Sequence, residues 1–385
     1  MYPDDSIAFL DLKSCSNLYS LKKSVKENTC SIALGAGASA SVGLPTWNKF
    51  LKRICYTFFY HWAFDVYNKK KCSYDTPPKN MAVAFVGFYD FYLFKKETKC
   101  DIDSIIFDTP ENVEIYIGDK KLSKEKVDEF VNDERERNEL IELLQDDFME
   151  KIMSQDPLLI AQMIKNRIRP RDWDYLLRKS LYNSYENDKY QLEISPLYSC
   201  LCNLIATFNI NCVINYNYDD TFYHSLKRLG IRFQNIYDGK ELNSVYPPIY
   251  YPHGYIPMCG GVKTKIVLAE QDYQRQGLQM DLWANNIQIS TYCSSPTIFI
   301  GLSLTDANIR RVLNQCRNSS RSIHYVFLPS SGDTPTTRMM DSLHNADLYR
   351  LGIKAIRYPI TDNKDNPHEY LIHAIDFLFK VDNKN

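Results

Sequence analysis

The chain has 385 residues, 44% of them hydrophobic and 24% charged, which is typical of a globular protein longer than one core usually needs. Its 46 Lys and Arg residues nearly balance 47 Asp and Glu residues, so nucleic acid is not expected as a direct partner. No apolar stretch approaches the ~20 residues that span a bilayer, so no membrane contact is expected. The absence of a signal-peptide pattern and the odd number of cysteines, 11, predict a cytoplasmic protein with reduced thiols.

The first predicted elements are a helix, a strand and a glycine turn. The N-terminal arm, up to about Asn28, is expected to pack as a short helix. Cys30–Leu34 is an apolar run that predicts a strand, and the segment GAGAS at 35–39 predicts a turn into the start of a helix. Such a turn lets backbone N–H groups approach a pyrophosphate. Alone, the glycine pair is a weak signal of the dinucleotide fingerprint.

A second helix is predicted from about Thr46, which can serve as its N-cap. The region that follows is rich in aromatic and charged residues and has few β-type runs. Apolar residues at helical spacing predict helices there, at Val127–Met153, Leu158–Ile168 and Trp173–Tyr185, with one hairpin strand at Val113–Ile117. We therefore predict a mostly helical insertion at 58–189, within a domain formed by residues 1–57 and 190–385.

After about Ser195, strands and helices alternate. The predicted strands are Asn211–Asn215, Ile231–Tyr237, Ile249–Pro252, Thr297–Ile300, Ile323–Leu328 and Ile353–Tyr358. The predicted helices are Leu197–Phe208, Thr221–Leu229, Leu282–Cys293, Ala307–Cys316 and His368–Phe379. This alternation predicts an α/β fold, a Rossmann-like doubly wound and mainly parallel sheet with helices on both faces. Ligands of such folds bind at the carboxyl ends of the strands.

Polar or glycine-rich segments stand at four of these strand ends. They are Gly35–Ser39, Asn217–Asp220, His253–Gly254 and Gly301–Asp306. In a doubly wound sheet they would meet in one crevice. Cleavage of the bond between nicotinamide and ribose in NAD expels a neutral leaving group, so a general acid is not essential. Its oxocarbenium-like transition state needs a positioned nucleophile and polar groups around the ribose.

An uncharged amide and a histidine that titrates near neutral pH suit that chemistry. One well-placed polar group can lower a barrier by roughly 3 kcal/mol. Asn217 and His253 are of these types, although Asn217 could simply stabilise a turn and His253 could be an ordinary core histidine. Asp219 and Asp220 could be acids at the start of a helix that interact with its dipole, and for Asp220 this interpretation is preferred.

Short motifs in this order resemble the sirtuin family, and more closely its divergent branch of prokaryotic NAD hydrolases involved in phage defence. The matching pieces are GAGAS at 35–39, GLPTW at 43–47, NYDD at 217–220, PHG at 252–254, IVLAEQDY at 266–273 and GLSLTDANIRRVL at 301–313. The resemblance covers most of the chain outside the predicted insertion.

The resemblance implies roles for individual residues. Asn217 corresponds to the asparagine beside the ribose, which orients the attacking water in hydrolases, and His253 to the catalytic histidine. Asp219 corresponds to the aspartate that binds the nicotinamide carboxamide, while Asp306 is expected to cap the next helix. The residues implied to contact the nucleotide are Gly35, Ala36, Gly37, Ser39, Pro45, Asp219, Gly301 and Ser303.

The zinc ribbon of the protein-deacylating sirtuins has no counterpart here. That ribbon supplies two Cys-x-x-Cys pairs, because tetrahedral zinc takes four ligands. Between His253 and Gly301 the chain has only Cys259 and Cys293, and neither has a partner at ligand spacing. We therefore expect no metal, and lysine deacylation is the least favoured activity.

The function predicted from these features is hydrolysis of NAD to ADP-ribose and nicotinamide. The family resemblance implies a role in anti-phage defence by NAD depletion, or abortive infection. It also implies control through a homo-oligomer or through a partner such as a HerA-type ATPase. The alternative is a catalytically silent subunit that senses NAD or ADP-ribose.

Overall fold

A computed structural model describes residues 5–58, 116–117, 120–121, 149–168, 170–182, 194–239, 245–262, 264–279, 282–320, 322–363 and 366–381. The chain divides into two compact units, one formed by residues 1–47 with 181–385 and the other by residues 48–180. The predicted extent of the helical insertion stays a prediction, because 59–115 and 122–148 lie outside the described residues. The predicted helix at Val127–Met153 falls largely in that part.

The larger unit contains a parallel sheet of seven strands. These are β1 Cys30–Leu34, β4 Ile210–Asn215, β5 Gln234–Ile236, β6 Pro248–Tyr250, β7 Thr297–Ile300, β8 His324–Pro329 and β9 Ile353–Tyr358. The strands lie in the order β5-β6-β4-β1-β7-β8-β9, and every neighbouring pair is parallel. The predicted fold class is therefore confirmed. In the smaller unit, β2 Tyr116–Ile117 pairs antiparallel with β3 Lys120–Lys121, close to the predicted hairpin strand.

The described part of the chain also contains the following helices. They are α1 Leu12–Glu27, α2 Ala36–Ala40, α3 47–58, α4 149–153, α5 Pro157–Arg167, α6 Pro170–Tyr182, α7 Pro196–Thr207, α8 Thr221–Arg228, α9 Glu270–Leu278, α10 Trp283–Ser294, α11 Ala307–Ser319, α12 Pro335–Arg350 and α13 Glu369–Asp376. Asp5–Ile7 and Phe377–Phe379 form short 3-10 helices.

The core lies on both faces of the sheet. All five residues of β1 are buried, as expected for a central strand of a parallel sheet covered on both sides. Alternate residues of β1 enter different clusters: Ile32 and Leu34 pack with Leu201 of α7, whereas Ala33 packs with Val312 of α11. The strand therefore separates two layers of helices.

The connections place a switch point at β1. The chain passes from β1 to β4 on one side and later returns from β6 to β7 on the other side of β1. In doubly wound sheets, the crevice for a ligand forms where the chain changes direction in this way. The carboxyl ends of β1, β4 and β7 are thus the expected walls of a site.

Helices α9 and α12 were not predicted from the sequence, because both lack an apolar stripe. In α9 the buried residues are the polar Asp272 and Gln276, and in α12 only Leu348 is buried. Another difference is the strand predicted at Ile231–Tyr237, which spans only Gln234–Ile236. Pro170, expected between two helices, is instead the first residue of α6, a position that tolerates proline because no helical N–H is needed there.

Candidate active site

The loops that follow β1 and β7 touch through their backbones. The amide of Gly35 donates to the carbonyl of Ile300, and the amide of Gly37 donates to the carbonyl of Gly301, both at 3.0 Å. Gly301 has a φ of +69°, and a Cβ atom there would lie 2.2 Å from the nitrogen of Ala38. Glycine is therefore needed at 301 both for its left-handed backbone and for lack of space.

These contacts define which part of the glycine loop a ligand can reach. The amides of Gly35 and Gly37 already have partners within the protein. Gly35 is buried, Ala36 is half-buried and Gly37 is exposed. The accessible backbone of the loop therefore lies at 36 and 37. Contact of Gly35, Ala36, Gly37 and Gly301 with a nucleotide stays a prediction.

The side chain of Asn217 is fastened to this loop by two hydrogen bonds. Its Nδ2 donates to the carbonyl oxygen of Gly35 at 2.8 Å and to Oγ of Ser39 at 2.7 Å. Asn215, the last residue of β4, supports the turn because its Oδ1 accepts from the backbone amide of Asn217 at 3.1 Å. The fold thus brings the predicted residues Gly35, Ser39 and Asn217 into contact.

Asp219 completes this group. Its Oδ2 accepts from the hydroxyl of Ser39 at 2.7 Å. Its Oδ1 accepts from the backbone amide of Thr221 at 3.1 Å and also from the Thr221 hydroxyl. Burial raises the pKa of the Asp219 carboxyl, while the hydrogen bonds from Thr221 and Ser39 oppose that rise. The bond to Thr221, the first residue of α8, matches the helix-start alternative; contact with nicotinamide stays a prediction.

His253 lies three residues beyond β6, buried between two tyrosine rings. Its ring centroid is 5.1 Å from that of Tyr216 and 5.8 Å from that of Tyr273. Gly254 turns the chain with a φ of +101°, and the His253 carbonyl accepts from the Val267 amide at 2.8 Å. Burial lowers the pKa of His253, and the negative charge of Asp306 acts in the opposite direction. The imidazole is therefore neutral at pH 7 and can accept a proton.

Asp306 links this histidine environment to α11. Its Oδ1 accepts from the backbone amides of Asn308 and Ile309, both at 2.9 Å, so the predicted helix-capping role is observed. Its Oδ2 accepts from the hydroxyl of Tyr273 at 2.9 Å. Because the Tyr273 ring packs against His253, one carboxylate both caps a helix and holds a ring beside the imidazole.

Asp220 stands at the start of α8, as in the preferred interpretation, and an interaction with the helix dipole stays a prediction. Its side chain makes no capping bond to that helix. Its carboxylate accepts instead from the Met258 amide at 3.1 Å, from the Tyr255 hydroxyl at 3.3 Å and from His224 Nε2 at 3.2 Å. Asp220 therefore ties the segment after His253 to the end of β4. Contacts over such sequence separations leave no local pattern.

The side chains around Asn217 and His253 form two groups, which include Tyr216 and Tyr273 besides residues singled out from the sequence. We call Gly35, Ser39, Asn217 and Asp219 the amide cluster, and Tyr216, His253, Tyr273 and Asp306 the imidazole cluster. Tyr216 and Asn217 follow β4, and His253 follows its neighbour β6, so both groups lie at the carboxyl edge of adjacent strands.

Two predicted residues stand outside these clusters. Ser303 is exposed and its hydroxyl pairs with that of Thr305 at 2.8 Å. Within the described ranges, no hydrogen bond joins Ser303 to either cluster. Pro45 is buried. Nucleotide contacts of Pro45 and Ser303 stay predictions.

Sequence reasoning missed several supporting residues. Tyr198 of α7 places its hydroxyl 3.2 Å from Ser39 Oγ and 3.1 Å from Thr221 Oγ1. No local signal marks Tyr198, because its partners lie far away in the chain. Thr221 could have been found, since an Asp two residues before a Thr at a helix start commonly accepts from that backbone amide.

Metal-ligand groupings and apolar helices bear on the class of protein. No group of three or more His, Cys, Asp or Glu residues in the described ranges is placed to hold a metal ion. Of the two cysteines between His253 and Gly301, Cys259 is exposed and Cys293 is half-buried. Among the helices that the structure describes, none has the length and apolar character needed to cross a membrane.

Residues 211–348 match a family model described as a SIR2-like domain. This range includes Asn217, Asp219, His253 and Asp306 but not the glycine loop at 35–39. No curated protein matches the chain. The match supports a sirtuin-like family and is compatible with NAD-related activity, because SIR2-like domains are in general NAD-dependent enzymes.

Proposed function

We propose that this protein hydrolyses NAD to ADP-ribose and nicotinamide. The observation that supports the proposal most is the position of Asn217 and His253, which follow adjacent parallel strands within the region that matches a SIR2-like domain. A fixed amide and a neutral imidazole suit water attack on a ribosyl cation, because the amide can orient the water and the imidazole can accept its proton.

The chemistry follows from the leaving group. Nicotinamide departs neutral from a cationic ring, so the bond can break without a proton donor. The protein must orient a water and accept its proton as the C–O bond forms at the ribose. In the proposal the Asn217 side chain orients the water, and His253, neutral because burial lowers its pKa, accepts a proton from the water or from a ribose hydroxyl.

The remaining assignments belong to the same proposal. Ala36 and Gly37, with their accessible backbone, would meet the pyrophosphate, together with Gly35, Ser39, Pro45, Gly301 and Ser303 on the ribose and phosphate side. Asp219 would face the nicotinamide carboxamide. No step of this reaction requires a metal ion.

The proposal extends to the setting in which the enzyme acts. Depletion of NAD in the cytoplasm would halt replication of an infecting phage, which is abortive infection. An enzyme with this effect must be inactive in healthy cells. We therefore include control by a homo-oligomer or by a partner, with a HerA-type ATPase as the first candidate to test.

The experiment is incubation of the purified protein with NAD, alone and with candidate partners, with nicotinamide release followed by chromatography. Asn217→Ala and His253→Ala should each lower release by at least about a hundredfold, the usual effect of removing a positioned catalytic group. Asn314→Ala and His373→Ala, at exposed helical positions, serve as matched controls. Tight NAD binding without turnover in every assembly would instead favour the silent sensor, and acetyl transfer from an acetylated peptide would favour a deacylase.

A further inference from the structure

We infer that Ser39 and Asp219 are positioning residues that orient the Asn217 side-chain amide, so that its oxygen is the atom available to the reacting water. This inference rests on the proposed function and changes the roles expected for Ser39 and Asp219. It follows from the number of hydrogens that Asn217 and Ser39 can donate and from the acceptors that lie next to them.

The orientation of the Asn217 amide is determined by Gly35. A backbone carbonyl oxygen can only accept, so the group 2.8 Å from it must be the NH2 of Asn217. The other hydrogen of that NH2 points to Ser39 Oγ at 2.7 Å. Both hydrogens therefore have protein acceptors. The Oδ1 atom is then the part of this side chain suited to accept from a water or a ribose hydroxyl.

The hydroxyl of Ser39 must accept from Asn217 because its only hydrogen is used elsewhere. Ser39 Oγ donates to Asp219 Oδ2 at 2.7 Å. Asp219 is 1% exposed and Ser39 is 2% exposed, so these bonds are shielded from competing solvent. The Asp219 carboxylate therefore receives the serine hydrogen, and the lone pairs of Ser39 Oγ are left to accept from Asn217. Asp219 thus determines which way Ser39, and through it Asn217, is oriented.

The neighbouring hydroxyls support the same direction. Thr221 donates its hydroxyl hydrogen to Asp219 Oδ1, and its backbone amide donates to the same atom. Tyr198 lies between Thr221 Oγ1 and Ser39 Oγ, so it can donate to either one without displacing the bonds to Asp219. Three groups therefore donate to one buried carboxylate, and a chain of bonds runs from Asn217 through Ser39 to Asp219.

The test is a double-mutant cycle on nicotinamide release, with kcat and KM measured separately and ADP-ribose binding measured by calorimetry. Ser39→Ala should lower kcat by about tenfold, the effect of losing one hydrogen bond that orients a catalytic group. Its KM and its Kd for ADP-ribose should stay within about twofold of wild type, as expected for loss of an interaction that acts only in the transition state. In the Asn217→Ala background, Ser39→Ala should have no further effect, because a residue that acts through Asn217 has nothing left to orient.

Three further variants test the inferred chain of bonds: one is a control, and two weaken or redirect a bond. Ser41→Ala is the matched control from the same loop, since the Ser41 hydroxyl bonds only to Ala38 and Ser195 among the described residues. Ser39→Cys, of similar size but with a weaker donor, should fall between wild type and Ser39→Ala. Asp219→Asn should also lower kcat. With its amide oxygen toward the Thr221 amide, its NH2 points at Ser39 and competes with Asn217 for the hydroxyl oxygen.

Two outcomes would overturn the inference. One is an equal loss of kcat from Ser39→Ala in the wild-type and Asn217→Ala backgrounds. The other is weakened ADP-ribose binding at unchanged kcat, which would make Ser39 a direct ligand contact.

If the wild-type protein releases no nicotinamide, the proposed function fails. The orientation of the Asn217 side-chain amide is then measured by nuclear magnetic resonance. The two Asn217 Nδ2 hydrogens should exchange slowly with solvent in wild type, and one should lose protection in Ser39→Ala. Unchanged exchange would contradict the inferred chain of bonds.

Discussion

Gly37 donates its backbone amide to the carbonyl of Gly301 at 3.0 Å, joining loops that lie more than half the chain apart in sequence. The two backbones leave no room for a side chain at position 37, because a Cβ atom on Gly37 would lie 2.9 Å from Cα of Gly301. Since Asn217 is bonded to the same loop at Gly35, this junction holds the amide cluster against the end of β7.

Substitution of Gly301 should disrupt that junction. Gly301→Ala combines a left-handed backbone with a Cβ placed 2.2 Å from the Ala38 nitrogen. We expect a loss of about 3 kcal/mol or more in the free energy of unfolding, because backbone clash adds to strain. Urea unfolding of wild type and Gly301→Ala measures this loss.

Gly230→Ala separates the two contributions. Gly230 has a φ of +76°, but a Cβ atom there would have nothing within 4 Å, so this variant carries backbone strain without a clash. It should cost about 1 kcal/mol. Equal losses for Gly230→Ala and Gly301→Ala would contradict the close contact between the two loops.

The pH dependence of nicotinamide release should report on His253. Burial lowers the pKa of His253 from its ordinary value of 6.5, so the neutral base persists below that pH and activity should fall only at more acidic pH. Asp306 opposes this shift; Asp306→Asn should therefore move the acidic limb of the kcat/KM profile to still lower pH. Asn is also a good N-cap residue, so helix α11 keeps its cap. An acidic limb that stays in place, or moves to higher pH, would argue against the electrostatic effect of Asp306 on His253.

Tyr273 offers a test of the imidazole cluster that leaves the ring in place. Tyr273→Phe removes the hydroxyl that bonds to Asp306 at 2.9 Å but keeps the ring beside His253. We expect a loss of about 1 kcal/mol in stability and a severalfold lower kcat, because the ring loses its anchor. Tyr349→Phe, at a position 66% exposed, is the control and should change neither quantity. Wild-type kcat in Tyr273→Phe would show that the hydroxyl does not matter for the histidine.

His324 should make the fold sensitive to acid independently of any activity. Burial, assisted by Arg317, lowers the pKa of His324 to about 4 from 6.5, and its Nδ1 accepts from the Thr297 amide at 3.1 Å. Between these pH values the unfolded chain binds a proton that the folded protein excludes, so stability falls as pH decreases. The full difference is about 3 kcal/mol.

The comparison of two histidine variants measures this effect. His324→Asn can keep an acceptor for the Thr297 amide but does not titrate, so its stability between pH ~6.5 and ~4 should vary less than that of wild type. His373→Asn, at an exposed position, should behave like wild type. Parallel curves for wild type and His324→Asn in urea unfolding would refute the assignment.

The sheet was predictable because its strands carry a strong local signal. Cys30–Leu34 and Thr297–Ile300 are largely apolar runs, and the structure gives them the predicted bounds. Buried strands of a parallel sheet must be apolar on both faces, so they stand out in the sequence. Helix α12 does not stand out in the sequence, because it buries only Leu348 and therefore needs no apolar stripe.

The site was predictable in its backbone positions but not in its side-chain partners. A glycine turn and polar residues at strand ends are local features, so Gly35, Asn217 and His253 could be singled out. The bonds of Ser39 to Asp219 and of Asp220 to Met258 depend on the packing of distant segments. No spacing rule encodes them, so the contacts of Asp220 with Met258 and Tyr255 could not be predicted.

The central claim is that water cleaves the bond between nicotinamide and ribose at a site containing Asn217 and His253. The most direct measurement is mass spectrometry of the products after incubation with NAD in heavy-oxygen water, with any partner required for activity. The account predicts free nicotinamide and ADP-ribose that carries one heavy oxygen atom on its terminal ribose, both formed at least about a hundredfold more slowly in Asn217→Ala and His253→Ala. Intact NAD with and without every candidate partner, or heavy ADP-ribose formed by both variants at the wild-type rate, would contradict it.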